Sequence, residues 1–433
     1  MRVTGDRYLN MPRVITLILL IFILPSEAVS GEIINRGDLL SLPRCVEIAL
    51  TKHPDIVAAM NTVDIHQSRI GQARSSYYPQ VNISSGYSRY SPASGDTHSS
   101  FDEYSGSAAL KQKIYDFGRT ATEVGVQRLN LTSSCFDLED VKEQVTFNVK
   151  QAYYGVLKAK RNRDVASHVV KQFEEHLVQA RGLYEVGTKP KFDVTKAQVD
   201  LSNAKLNLIR AENSLKIAMV TLNNAIGIPD APEYGIEDNL SCQEWTMDFV
   251  QVREKAYENR ADLKSLLAKK QAAETSISLA RKDYFPTLSG NASYSRVGES
   301  LPLNEGWEAG LTVTFPLFSG FLTKYQVQEA RSNLDVIRAN EESLRQNILL
   351  EVKQAYLNLE EARERIPTAE LAVRQAEENL ELANGRYKAD VGNPIEVTDA
   401  LVAYSNAKLS YVQALYDCRV AGASLQRAMG TEK

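Results

Sequence analysis

The sequence predicts a mainly α-helical protein with a small β portion that can span a membrane. Three observations lead to this fold class. Residues that favour long helices dominate most of the chain, with only 14 Pro and 23 Gly among 433 residues. One pattern occurs twice, with the two copies roughly 200 residues apart. Each copy contains two short segments in which apolar and polar residues alternate.

The N-terminus, residues 1–30, is predicted to be a signal peptide. Basic residues precede an apolar run over 14–24, and small residues stand before a cut ahead of Gly31. The run is shorter than the roughly 20 residues that a transmembrane helix needs, although an uncleaved anchor is the alternative. The sequence holds no second run of spanning length, so a mature chain that crosses a membrane must use strands closed into a barrel.

The internal repeat organises the rest of the chain. Four matched pairs of segments keep one order: 73–79 with 280–286, 149–153 with 352–356, 202–206 with 405–409, and 225–227 with 428–430. We therefore predict a first repeat at 31–227, a linker at 228–245 and a second repeat at 246–430. Each repeat is expected to contain a helix, a β-hairpin and a long helical hairpin.

The helix of the first repeat is predicted over 42–74, and the β-hairpins over 80–114 and 287–315. In the first strand, Val81, Ile83, Ser85 and Tyr87 share one face, and polar residues share the other. Such segments suit lipid outside and water inside, and aromatic residues at both hairpin bases resemble an interfacial girdle. Two hairpins packed on a soluble core are the alternative.

The long helices are predicted over 119–184 and 323–387, each reaching roughly 100 Å. Pro367 and Gly385 are expected to interrupt the second one. Return helices follow over 192–225 and 395–429, with apolar residues three and four apart that need partners within and between chains. Four strands per chain cannot close a barrel, so several copies are required. Three copies give about 12 strands, and the residues alone also permit two or four.

Composition excludes several functional classes. The net charge of -4 is nearly balanced, so no nucleic-acid partner is implied. The sequence lacks the hydrolase, zinc-protease, Walker and dinucleotide motifs, so we predict no enzyme, cofactor or metal site. His168 and His176 share a helix face without further ligands, and we expect both to be solvated. For the cysteines, pairing of Cys45 with Cys242 and free buried thiols both stay open.

Several short segments accompany this order of elements. They are Tyr77-Tyr78-Pro79 and Tyr284-Phe285-Pro286 before the strands, Tyr115-Asp116-Phe117-Gly118 and Leu317-Phe318-Ser319-Gly320 after them, and the turns Val186-Gly187 and Val391-Gly392. As an ordered set they resemble the TolC family of outer-membrane efflux proteins. The resemblance implies a homotrimer in the outer membrane of a Gram-negative bacterium, with a 12-stranded shared β-barrel, a trimeric α-barrel of helical hairpins in the periplasm, and a constricted tip. The implied partners are outer-membrane lipid, a periplasmic adaptor protein and an inner-membrane RND or ABC transporter.

The resemblance also implies roles for residues near the tip. Glu396 and Asp399 resemble two acidic residues that ring the entrance, and their i, i+3 spacing places them on one helix face. Three copies would gather six carboxylates, which would attract cations. The alternative is a solvated acidic first turn that interacts with the helix dipole.

Asp193 resembles an acidic residue that tethers the closed tip, and Tyr387 resembles its aromatic partner. The family's tethering Arg has no counterpart, because Asn393-Pro394 follows Gly392. Val186, Gly187, Val391 and Gly392 are expected to contact the adaptor, as well as to cap their helices.

The implied function is a passive exit duct for an efflux pump or a type I secretion system. One rival is a periplasmic adaptor of the same machinery, which would show one helical hairpin between β-rich domains. An envelope enzyme or binding module is the other.

Overall fold

The computed structural model describes residues 34–91, 100–242 and 245–431. The predicted signal peptide lies outside these residues. Within them, the helices are α1 (Leu42–Lys52), α2 (Pro54–Arg74), α3 (Arg119–Glu185), α4 (Lys191–Ile226), α5 (Phe249–Asn259), α6 (Ala261–Arg281), α7 (Leu322–Lys388) and α8 (Pro394–Ala428). The strands are β1 (Leu39–Leu40), β2 (Gln80–Tyr90), β3 (Phe101–Tyr115), β4 (Gly235–Ile236), β5 (Thr287–Gly298) and β6 (Asn304–Thr314).

Two helices of 67 residues each, α3 and α7, set the length of the molecule. Each extends about 100 Å at a rise of 1.5 Å per residue. The return helices α4 and α8 pack along them. The expected interruption at Pro367 is wrong, because α7 passes through this residue as one helix. Ala362 and Val373 are buried on either side of the proline and keep the helix packed across it.

The single helix predicted over 42–74 is also wrong, because the structure divides it into α1 and α2. The break falls at His53, whose backbone is extended with φ -63° and ψ 128°. The ring of Pro54 clashes with a helical conformation of the preceding residue, so the chain turns here and starts a new helix.

The four longer strands form one antiparallel sheet in the order β2-β3-β5-β6. One cross-strand row runs through Ile83, Ala108, Tyr294 and Trp307. Since side chains alternate along each strand, this register places the predicted face of β2 on the same side of the sheet as Ala108, Tyr294 and Trp307. The polar residues, such as Ser84 opposite Ser107, share the other side.

The apolar side of the sheet does not pack on a core in the described chain. Ile83 and Trp307 are 84% and 79% exposed. The edges formed by β2 and β6 pair with no other strand among the described residues. The chain therefore does not form the alternative arrangement, in which two ordinary hairpins pack on a soluble core.

The linker between repeats packs into a large buried cluster with α1, α3 and α4. β1 pairs in parallel with β4, through Leu39 with Gly235 and Leu40 with Ile236. The hydroxyl of the fully buried Tyr153 donates to the carbonyl of Glu237 at 2.8 Å. This segment is thus built into the core of the first repeat, and Arg419 of α8 in the second repeat donates to its Asn239 carbonyl at 2.9 Å.

The structure pairs Cys242 of the linker with Cys418 of α8 in a disulfide. Pairing of Cys242 with Cys45 is therefore wrong, and the expectation of free buried thiols is confirmed for Cys45 but wrong for the bonded Cys242 and Cys418. Cys45 is a buried thiol and Cys135 an exposed one. Among the residues described, helices that combine enough length with enough apolar character to cross a membrane are not found.

Candidate functional site at the helical tip

The tip of the molecule consists of two turns of five residues, 186–190 between α3 and α4 and 389–393 between α7 and α8. Each residue of the first turn has a counterpart in the second. The Gly187 N–H donates to the Tyr184 carbonyl, and the Asp390 N–H donates to the Tyr387 carbonyl. The two turns are therefore built on one hydrogen-bond pattern.

This pattern makes Asp390, rather than Gly392, the counterpart of Gly187. Both residues adopt left-handed backbone, with φ 79° at Gly187 and 61° at Asp390. Gly392 is required for a different reason. A Cβ at this position would lie 2.8 Å from the Tyr387 nitrogen and 2.9 Å from the Arg386 carbonyl carbon. The two Val-Gly pairs matched in the sequence thus occupy different positions in their turns.

Tyr387 and Asp193, predicted as tether partners, lie next to each other in the structure. Tyr387 is fully buried, and Asp193 is 4% exposed. The Tyr387 hydroxyl is directed at the Asp193 carboxylate, but the contact falls outside normal hydrogen-bond geometry. Burial, with a further contribution from this carboxylate, raises the pKa of Tyr387 to about 12. The phenol therefore stays protonated at neutral pH.

His176 packs against the same tyrosine, with 5.0 Å between the ring centroids. The prediction of a solvated side chain is wrong, because His176 is 4% exposed. Burial lowers the pKa of His176, although the Asp200 and Asp193 carboxylates act in the opposite direction. The imidazole is accordingly held neutral inside the tip.

An ion pair missed in the sequence joins the two turns. The Lys189 ammonium lies 2.6 Å from the Asp390 carboxylate and 5.5 Å from the centroid of the Tyr387 ring. This cation comes from the first turn, whereas in the sequence we looked for one in the second. Periodicity could not indicate this contact, because the two residues belong to different repeats.

Glu396 and Asp399 both lie exposed near the start of α8, on the face that their spacing predicts. Glu396 is paired with Arg386 at 3.1 Å. Asp399 makes no ion pair within the described ranges, so its charge is the less compensated of the two. Val186 and Val391 are 72% and 67% exposed at the end of the molecule.

A second contact ties the hairpins together just behind the turns. The Thr398 hydroxyl of α8 donates to the Asp200 carboxylate of α4 at 2.8 Å. The Lys196 ammonium lies 2.6 Å from the same carboxylate. Asp200 is buried, and these two donors compensate its charge. No group of three or more potential metal ligands occurs among the described residues.

A two-faced sheet with open edges, joined to two long helical hairpins, is the architecture of a membrane channel subunit whose helices project from the bilayer. The sequence profile of the outer membrane efflux protein family matches residues 45–228 and 252–431. The chain therefore belongs to this family, whose members are transport channels, and it is an outer membrane protein.

Comparisons with individual proteins agree with this assignment. The outer membrane protein TolC of Escherichia coli K12 is 23% identical over 417 residues, covering 90% of this chain and 82% of TolC. Protein CyaE of Bordetella pertussis is 24% identical over 412 residues, covering 92% of this chain and 85% of CyaE. The crystal structure of CusC superposes with a TM-score of 0.79 at 18% identity, covering 92% of this chain and 95% of CusC. Adaptor proteins are not among these neighbours.

Proposed function

We propose that the chain forms a homotrimeric outer-membrane channel that serves as a passive exit duct for an efflux pump or a type I secretion system. The sheet carries this proposal, because both of its edges are unpaired in the described chain and its apolar face is exposed. Unpaired backbone groups are not tolerated in lipid, so the sheet must pair with other copies. Edge strands β6 and β2 run in opposite directions, which suits antiparallel pairing between neighbours.

Exposed apolar residues on the helices support the same assembly. They recur along α4 at Val199, Leu206, Ile209, Ile217 and Val220, and along α7 at Val336, Leu350 and Leu357. Stripes of this kind are stabilised when neighbouring helices cover them. Three copies would bury the stripes in an α-barrel and would close about 12 strands, an even number within the range known for such barrels.

The tip would be the gate of this duct. Glu396 and Asp399 from three copies would ring the entrance and favour cations. Asp193 and Tyr387 would hold the tip closed, and the exposed turns at Val186-Gly187 and Val391-Gly392 would contact a periplasmic adaptor. An inner-membrane RND or ABC transporter would deliver the cargo through that adaptor.

The membrane topology is tested by a pair of substitutions on adjacent residues. Ile83→Arg places a charge on the apolar face, where a cation at the bilayer midplane costs about 2–4 kcal/mol. Ser84→Arg places the same charge on the polar face. We expect a heat-sensitive trimer in the outer-membrane fraction for the wild type and Ser84→Arg, and strongly reduced assembly for Ile83→Arg. A soluble periplasmic monomer in the wild type would instead support an adaptor.

The acidic ring is tested by conductance in planar bilayers. The double variant Glu396→Ala/Asp399→Ala should lose cation selectivity. Glu254 and Glu258 are a matched exposed pair on α5, so Glu254→Ala/Glu258→Ala serves as the control and should keep it. Equal selectivity in the tip variant and the wild type would refute the ring.

A further inference from the structure

A basic cavity lies at the foot of the sheet, where the second repeat passes from helix to strand and back to helix. It has a volume of about 590 Å³ and is lined by Arg281 of α6, Tyr284 and Phe285 before β5, and Lys324, Val327 and Arg331 of α7. No carboxylate lines this cavity among the residues that the structure describes. The site lies away from the tip and takes no part in the proposed gate.

The three cations that line the cavity have no anionic partner within the described ranges. Arg281, Lys324 and Arg331 are all exposed and form no ion pair there. Of the acidic residues close to these cations in the sequence, Asp283 is engaged by Arg119 at 3.0 Å, and Glu329 of α7 does not line the cavity. Three like charges around one cavity repel one another, and an anion placed between them would relieve that repulsion.

The surroundings of the cavity identify the kind of anion. Between the end of β6 and the first turns of α7, six apolar or aromatic side chains are at least half exposed: Phe315, Leu317, Phe318, Phe321, Leu322 and Tyr325. The Lys324 ammonium lies 5.8 Å from the ring centroids of Phe321 and Tyr325. Aromatic residues beside lysine and arginine are typical of the level at which lipid headgroups meet the aqueous phase.

We propose that this cavity binds the headgroup phosphate of an anionic phospholipid, phosphatidylglycerol or cardiolipin, from the leaflet that faces the long helices. Arg281 and Arg331 would donate hydrogen bonds to the phosphate oxygens, and Lys324 would add a point charge. Acyl chains would lie along the exposed aromatic segment. The proposal rests on the proposed function, because it requires the sheet to span the outer membrane.

The first repeat supplies an internal comparison. Buried Thr120 and Val124 of α3 match buried Thr323 and Val327 of α7 in the repeat. On this alignment, Ala121 stands where the second repeat has Lys324. Arg74 and Arg128 are exposed and correspond to Arg281 and Arg331. The first repeat therefore keeps two cations without the third, and it provides matched positions for a control variant.

The test uses the full-length protein extracted in mild detergent and examined by native mass spectrometry with phosphatidylglycerol and phosphatidylcholine in equal amounts. The wild type should retain phosphatidylglycerol selectively. Arg281→Gln/Lys324→Gln/Arg331→Gln should weaken that binding on the order of a hundred-fold, and Arg331→Gln alone by about five-fold. The control Arg74→Gln/Arg128→Gln should bind as the wild type does.

Two outcomes would overturn the site. One is equal phosphatidylglycerol binding in the triple variant and the wild type; the other is an equal loss in the control. Inorganic phosphate is the second probe, and binding of free phosphate with the same dependence on the three cations would make this a small-anion site instead. Each preparation is also checked for a heat-sensitive oligomer in the outer-membrane fraction. Absence of that oligomer in the wild type would count against the proposed function, whereas lipid loss in an intact oligomer concerns this cavity alone.

Discussion

The Lys189 ammonium lies 2.6 Å from the Asp390 carboxylate, and this ion pair joins the turn of one helical hairpin to the turn of the other. Lys189 is only 15% exposed, and its charge also faces the ring of the buried Tyr387. Asp390 is the left-handed residue of its turn, and its carboxylate contacts the first hairpin through Lys189. The contact therefore depends on the conformation of both turns at once.

Removing this cation should loosen the tip. Since Asp390 is 57% exposed, the pair contributes no more than about 1 kcal/mol, equivalent to a change of up to about five-fold in the open population. We expect Lys189→Met to raise the mean conductance in planar bilayers within that range. Lys191→Met removes an exposed lysine that has no ion pair in the described chain, and it should leave the mean conductance unchanged. The charge swap Lys189→Asp/Asp390→Lys should restore the closed state in part; no recovery would argue against the ion pair.

Acidification should destabilise the tip through His176. Burial places the folded-state pKa of His176 below its ordinary value of 6.5, so the unfolded chain binds the proton more readily. The contribution of neutral His176 to the stability of the tip is complete above pH 6.5, and it declines as the pH falls toward the pKa of His176 in the folded state. Protection factors for hydrogen exchange at 170–200, which are corrected for the pH dependence of intrinsic amide exchange, should be lower at pH 5.5 than at pH 7.5. His176→Phe should abolish this difference, and the exposed His168→Gln should leave it in place; an unchanged pH response in His176→Phe would contradict the role.

Gly392 and Gly385 should respond in opposite ways to alanine. A Cβ at Gly392 would meet backbone atoms of Tyr387 and Arg386 at 2.8 and 2.9 Å, so Gly392→Ala should cost about 1–3 kcal/mol. Gly385 lies inside α7, where an added methyl group would meet nothing within 4 Å, and alanine there should stabilise by about 0.5–1 kcal/mol. Limited proteolysis at the tip measures both changes. Equal resistance of the two variants would show that the close approach at Gly392 is not a constraint.

Loss of the Cys242–Cys418 disulfide should lower the stability of the region where the linker meets α8. The bond closes a loop over a separation of 176 residues, and removal of such a cross-link costs about 2–4 kcal/mol. The oligomer of the Cys418→Ser variant should therefore dissociate at a lower temperature than the wild-type oligomer in a heat-shift assay. Cys135→Ser removes an exposed free thiol and is the control. Similar midpoints for all three proteins would exclude a stabilising role.

The strands illustrate what residue patterns can predict. The alternation at Val81 and Ile83 places both on one face, and the cross-strand register confirms that face. Hydrophobic periodicity is a local property of the sequence, so it is present whenever one side of a strand is buried in a core or faces lipid. The break between α1 and α2 was also encoded locally, in Pro54, but the amphipathic pattern on both sides of it favoured one continuous helix.

The tip illustrates the opposite case. Asp193 and Tyr387 could be named only through resemblance to a family, and Lys189 and Arg386 had no signal at all. His176 looked like a solvated residue, because its burial comes from helices of both repeats. Pairing of Cys242 with Cys418 likewise requires two distant segments to meet. These contacts depend on the relative position of the hairpins, which short-range patterns do not contain.

By itself, the sequence determined the duplicated architecture, the two-faced strands and the long helices, because each follows from spacing between neighbouring residues. The tertiary structure alone decided which charges meet at the tip, which histidine is buried, which cysteines pair and which cations gather beneath the sheet. Contacts between residues far apart in the chain arise only when the two repeats pack against each other.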